Sequence, residues 1–144
     1  MIWFLRHAEA VDGIPDSERE LTAKGRGQAE YAGRALAKLD VRFDACFTSP
    51  KERALETARL ACRHLGVEPT IEESLAQGEF DAAALTAGLD NTLLVGHEPD
   101  FSAAVQDLTG ARIEFKKSGV AVVDGRLLLR LLRPADLRAM ADGG

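Results

Sequence analysis

Two short apolar runs, Met1-Ile-Trp-Phe-Leu5 and Thr92-Leu-Leu-Val95, carry no alternating polar residues and end abruptly, the first on Arg6-His7 and the second on Gly96-His97. Successive residues of a strand point to opposite faces, so a strand wetted on one side alternates and a strand without alternation is apolar on both sides. Such strands have to be covered twice, which is the situation in parallel sheets sandwiched by helices. The expected fold is therefore α/β: a three-layer sandwich with a mostly parallel central sheet and helices on both faces.

The intervening chain supplies the helices. Beyond a polar loop from Glu9 to Glu20, Ala29, Ala32, Leu36 and Leu39 keep helical spacing over about Thr22 to Leu39. A strand is predicted from Asp44 to Thr48, then a helix from Pro50 to Leu65 with Ala54, Ala58, Ala61, Cys62 and Leu65 on one face, then a short strand near Thr70. Ser49 reads as the cap of that helix, with Pro50 at its first position and Glu52 completing a capping box. Asp81 heads a brief helix to Ala87, and Pro99 opens another with Phe101, Ala104, Val105 and Leu108 on one stripe, stopped by Gly110. At the end, Val120–Val123 and Leu127–Leu132 flank Asp124-Gly125, a two-residue turn signal that predicts a C-terminal antiparallel hairpin. Pro134 ends it, and Ala135 to Met140 form a last short helix. Without repeats, low-complexity tracts or linkers, residues 1–144 read as one domain, a length that buries roughly two thirds of the unfolded surface.

Ligands of such sheets sit at the carboxyl ends of the strands. If the two apolar runs lie side by side, His7 and His97 converge at one edge with Arg6 beside them, a set suited to a phosphoryl group. The segment Thr48-Ser-Pro-Lys-Glu-Arg-Ala-Leu-Glu-Thr57 points the same way, because Arg53 falls in the opening turns of a helix that starts at a strand's carboxyl end. Taken alone, Arg53 would be an ordinary helix arginine paired with Glu52 or Glu56. His64, near a helix end, is read as structural.

Together, Leu5-Arg-His-Ala8, Ser49 to Thr57 and Val95-Gly-His97 stand in the order and approximate spacing of the histidine phosphatase superfamily, which the chain resembles over nearly its whole length. The small size, Leu21-Thr-Ala-Lys-Gly25, Val95-Gly-His-Glu-Pro99 and Lys116-Lys-Ser-Gly-Val120 resemble most its SixA-type phosphohistidine phosphatases. The resemblance implies the phosphoglycerate mutase-like fold. It also implies that His7 is a nucleophile forming a covalent phosphohistidine intermediate, that Arg6 and Arg53 hold the phosphoryl oxygens, and that His97 donates a further hydrogen bond to them. The chemistry agrees: phosphoryl transfer needs mainly positioning and charge stabilisation, and arginine offers a planar fork of donors that stays charged.

Two departures narrow the reading. Where larger relatives carry an asparagine shortly after the Arg-His pair, this chain has Glu9-Ala-Val-Asp-Gly13. No carboxylate stands out as a general acid; Glu79 is the best placed, with Glu72, Glu73 and Asp81 nearby. An imidazole leaving group needs less acid help than an alkoxide, because a P–N bond to a protonated ring breaks more easily than a P–O ester. The sequence therefore reads as a metal-independent phosphatase of phosphohistidine, on a protein or a small molecule. A phosphomonoesterase of metabolite phosphates or a non-turning-over phospho-ligand module are the alternatives.

Composition bounds the partners. The chain is 46% hydrophobic and 28% charged, with 18 basic against 23 acidic residues and a net charge of −5, which disfavours a nucleic acid or an anionic membrane. The N-terminal apolar run is shorter than the roughly 7 to 15 residues of a signal-peptide core, and no segment reaches the ~18 of a membrane span, so a cytoplasmic protein is expected. Cys46 and Cys62 lack ligand-like spacing to the histidines and read as small buried hydrophobes. No cofactor and no metal are expected.

Overall fold

The computed structural model describes residues 1–143. Its strands are β1 (Ile2–Arg6), β2 (Ala45–Thr48), β3 (Pro69–Ile71), β4 (Thr92–Gly96), β5 (Val120–Asp124) and β6 (Leu127–Leu132). Its helices are α1 (Ala23–Lys38), α2 (Glu52–Cys62), α3 (Ala82–Leu85), α4 (Asp100–Thr109) and α5 (Pro134–Asp142). The strands form one sheet in the order β3-β2-β4-β1-β5-β6. β3, β2, β4 and β1 pair in parallel; β5 runs antiparallel to β1 and to β6.

The absence of alternation in β1 and β4 has the expected consequence. Trp3, Leu5, Leu93, Val95, Val120 and Val122 point to one face, where α1, α2 and α5 cover them with Ala32, Leu36, Ala58, Ala61 and Leu137. Phe4, Leu94, Ala121 and Val123 point to the other, against Phe101, Ala104 and Val105 of α4 and Ala82 of α3. Each fully buried Phe or Leu among them stabilises the fold by about 1.5–3 kcal/mol relative to exposure. Cys46 and Cys62 are both buried free thiols in the first of these cores. No helix among the described residues is long and apolar enough to cross a membrane.

Two local expectations are corrected. Helix α2 starts at Glu52, not Pro50; its cap residue is Lys51, and Ser49 makes no helix cap. Just beyond β2, Ser49 N–H donates to Val95 O at 3.0 Å, and its hydroxyl accepts from Lys51 N–H at 3.1 Å, ahead of the helix rather than on its first turn. In the hairpin, Asp124 pairs with Leu127, so the turn is Gly125-Arg126 rather than Asp124-Gly125. Gly125 has φ +60° and Asp124 remains extended in β5, the arrangement of a Gly-X two-residue hairpin.

Candidate active site

The ladder between β1 and β4 aligns Arg6 with Gly96, and His7 N–H donates to Gly96 O at 3.0 Å. His7 and His97 therefore leave adjacent strands at the same edge, with ring centroids 5.2 Å apart and both side chains buried. The exit of β1 is stapled from two more sides. Ser118 N–H donates to Arg6 O and His7 O at 3.0 and 3.1 Å, from a left-handed backbone with φ +58°. Ala8 N–H donates to Thr57 Oγ1 at 3.0 Å, and that hydroxyl donates to Arg53 O at 2.7 Å, tying β1 to α2. The Leu21–Gly25 stretch supports the same exit. Thr22 N–H donates to Glu9 O at 3.0 Å, and a Cβ at Gly25 would stand 2.0 Å from that carbonyl oxygen, so only glycine fits there.

The hydrogen bonds fix what each ring can do. His7 Nδ1 lies 2.8 Å from Ala8 O, an acceptor, so Nδ1 carries the proton and Nε2 keeps its lone pair. His97 Nε2 lies 2.7 Å from Ser49 Oγ; with the hydroxyl donating to it, Nδ1 becomes the N–H donor. Among the described residues, the buried side-chain atoms without a partner are Arg6 Nε, Arg53 Nε, His97 Nδ1, Ser118 Oγ and Thr92 Oγ1. Buried polar groups are rarely left unpaired. All but Thr92, at the opposite end of β4, belong to this one rim. An oxoanion would supply the missing acceptors.

The electrostatics favour an anion as well. Burial pushes the His7 pKa down to about 4, with Arg53, Arg6 and Lys117 adding to the fall and the Ala8 carbonyl opposing it. His97 is pushed to about 3 by burial, then by His7, Arg53 and Lys51, with Asp16 opposing. Both rings are neutral at neutral pH, as an attacking imidazole must be. Arg6 donates from Nη1 to Phe115 O at 2.7 Å; burial lowers its pKa and Glu98 partly offsets this. Arg53 pairs with neither Glu52 nor Glu56 but with Asp16, at 3.2 Å. Hydrogen bonding from Arg19, joined by Arg53 and Lys51, holds the Asp16 carboxyl well below the usual carboxylate range.

Of the residues singled out by the sequence, Arg6, His7, Arg53 and His97 meet here. Glu79 is exposed and lines a separate surface cavity of about 440 Å³ with Phe80, Ala104, Asp107 and Leu108. Glu72 accepts from Ser74 N–H at 3.1 Å and Asp81 from Ala84 N–H at 3.0 Å, each capping its own short helix. His64, beyond the end of α2, bonds Glu30 at 2.6 Å and is structural. Ser49, Thr57, Ser118 and Asp16 complete the site without having been assigned roles in it. Among the described residues no group of three or more His, Cys, Asp or Glu is arranged to hold a metal ion.

A mostly parallel sheet whose strand ends gather two neutral imidazoles, the buried Arg53 and the half-buried Arg6 at one edge is the kind of α/β site suited to a phosphoryl group. The pattern of the histidine phosphatase superfamily (branch 1) matches residues 2–114, and the chain belongs to that superfamily. An uncharacterised protein of Picosynechococcus sp. is 34% identical over 83% of this chain and 81% of its own. The human mitochondrial serine/threonine-protein phosphatase PGAM5 is 39% identical over 54% of this chain, but the match spans only 27% of that protein. Among solved structures, the SixA protein of Agrobacterium tumefaciens, a proposed phosphohistidine phosphatase, superposes with a TM-score of 0.82 at 24% identity, covering 92% of this chain and 97% of that one. The protein histidine phosphatase SixA complexed with tungstate gives 0.82 at 21% identity, covering 94% and 98%. The fold is thus that of the phosphoglycerate mutase-like phosphatases.

Proposed function

We propose that the chain hydrolyses phosphohistidine through a covalent intermediate on His7, with Arg6, Arg53 and His97 as phosphoryl ligands. One observation carries this reading: a histidine with an available Nε2 stands among buried donors that lack acceptors. In the first step Nε2 attacks phosphorus in line as the substrate's P–N bond breaks, and the departing imidazole, already protonated on its distal nitrogen, leaves as the neutral ring. In the second, water attacks the phosphoenzyme, inorganic phosphate departs, and the electron pair of the broken bond returns to Nε2. The arginines stabilise charge on the equatorial oxygens in both steps.

The choice of phosphohistidine over an alkyl phosphate is supported by where the candidate acids Glu72, Glu79 and Asp81 sit. Glu72 and Asp81 cap helices, and Glu79 lines another surface. Relatives point in more than one direction: the structural neighbours include protein histidine phosphatase SixA and a phosphoserine phosphatase of Entamoeba histolytica bound to 3-phosphoglyceric acid, at a TM-score of 0.71. Purified protein assayed side by side on a phosphohistidine protein, phosphoramidate-phosphorylated imidazole and a panel of alkyl phosphates tests the substrate. Turnover confined to alkyl phosphates would move the assignment to a metabolite phosphatase. Activity is expected to survive exhaustive chelation; loss with EDTA restored by a divalent ion would overturn the metal-independent mechanism.

A further inference from the structure

Asp16 sits in a three-residue 3-10 turn, Asp16–Glu18, of the loop between β1 and α1, 37 residues from Arg53 in sequence. In space it is the residue that fixes Arg53. Its main-chain carbonyl accepts from Nη1 at 2.9 Å and its Oδ2 from Nη2 at 3.2 Å. Lys51 Nζ approaches Oδ2 at 3.3 Å, and Arg19 Nη1 donates to Oδ1 at 3.0 Å. Arg19 is tethered in turn, Nε donating to Val11 O at 2.8 Å.

A guanidinium presents an end-on fork, Nη1 with Nη2, and a side-on fork, Nε with one Nη hydrogen. Asp16 occupies the end-on fork. The side-on fork remains, and its Nε is the buried donor without a partner. We propose that Asp16 is a positioning residue for the phosphoryl site. It holds Arg53 by the end-on fork so that the side-on fork meets the phosphoryl oxygens, and its charge lets Arg53, Lys51 and Arg19 gather at the site before the anion arrives. The competing idea is that the carboxylate stands in for the phosphoryl group and leaves when substrate binds. The geometry opposes it: one of the two acceptors is a main-chain carbonyl of a turn anchored by Arg19, and the donor left open is not one that Asp16 uses.

The inference rests on Arg53 being a phosphoryl ligand, as assigned above, and the two readings predict opposite signs. Asp16→Asn preserves size and removes the charge, and Asp16 is more than half exposed, so the fold should persist. Calorimetric titration with inorganic phosphate and with tungstate is expected to show affinity falling in Asp16→Asn. kcat on a phosphorylated substrate should fall on the order of ten- to a hundredfold, the scale of a misplaced positioning group. In an Arg53→Lys background the same change should cost less than about twofold, because the fork it orients is gone. Arg19→Gln, which only loosens the carboxylate, should give a smaller loss of the same sign and serves if Asp16→Asn does not fold. Tighter oxoanion binding, wild-type behaviour, or equal losses in both backgrounds would each overturn the proposal. Anion binding needs no turnover, so a wrong substrate assignment leaves it intact; failure of the wild type to bind phosphate would overturn the assignment of Arg53 and this inference with it.

Discussion

At the residue scale, the site holds groups proposed to touch the phosphoryl oxygens and groups proposed to aim them. His7→Ala should abolish turnover and the acid-labile phosphoenzyme while leaving the circular dichroism spectrum unchanged; retained activity would sink the covalent mechanism. Arg53→Lys keeps a positive charge but loses the planar fork, and a contact made chiefly in the transition state is worth on the order of 3 kcal/mol, so the rate should drop roughly a hundredfold. Wild-type kinetics in that variant would make Arg53 an ordinary helix residue. For Glu79, exposed and facing another cavity, Glu79→Gln should leave phosphohistidine hydrolysis within a few fold of wild type, where a true general acid would cost about 10² to 10⁴. The four central residues were legible in sequence because each follows a strand end directly or opens the next helix. Asp16 was not, since a carboxylate in a polar loop gives no sign of which distant cation it meets. Ser49 misleads in sequence for a definable reason: Ser-Pro-Lys-Glu has the form of a capping box whether the serine caps a helix or holds a histidine, and only where the helix starts decides.

At the scale of elements, the position of the site depends on how closely α1 lies on α2, because α2 carries Arg53 and, through Thr57, grips Ala8. That approach is set by one glycine. A Cβ on Gly33 would stand 2.5 Å from Ala61 O and 2.8 Å from Ala61 Cα, backbone atoms that cannot turn aside. Gly27, in the same helix, would meet nothing within 4 Å. The same substitution should therefore have opposite effects. Gly27→Ala gains helix propensity of up to about 1 kcal/mol, whereas in Gly33→Ala overpacking of about 1–3 kcal/mol outweighs that gain. Thermal unfolding should show Gly27→Ala melting a few degrees above wild type and Gly33→Ala below it, with phosphate affinity lowered only in the latter. Equal shifts would mean that the helices can separate at no cost. Apolar periodicity revealed both helices, but close contact between them leaves no periodic mark in the sequence.

For the whole molecule, the two buried imidazoles should make the fold less stable in acid. Both imidazoles are buried neutral with pKa values near 4 and 3, against about 6.5 in an unfolded chain. As pH falls from 6.5 toward those values, the unfolded state takes up protons that the native state does not, so stability rises with pH across this window and is lost on acidification. The groups around the rings reinforce the direction: Arg6, Arg53, Lys51 and Lys117 oppose a further positive charge, and Asp16 and the Ala8 carbonyl only partly compensate. The fall of the His7 pKa to about 4 should cost stability of the order of a few kcal/mol, most of it lost between pH 6.5 and 4. Asp16 acts below that window with the same sign, since its depressed pKa stabilises the fold above about pH 4 and the benefit disappears as it protonates. Urea midpoints measured at pH 7, 6 and 5 should decline in the wild type and decline less in His97→Asn, which has one buried imidazole fewer to protect from protons. Saturating phosphate should flatten the same curve by supplying the negative charge that the protonated rings require. An identical pH slope in wild type and His97→Asn would show that His97 takes up protons as readily in the native site as in the unfolded chain, and would overturn its part in this acid dependence.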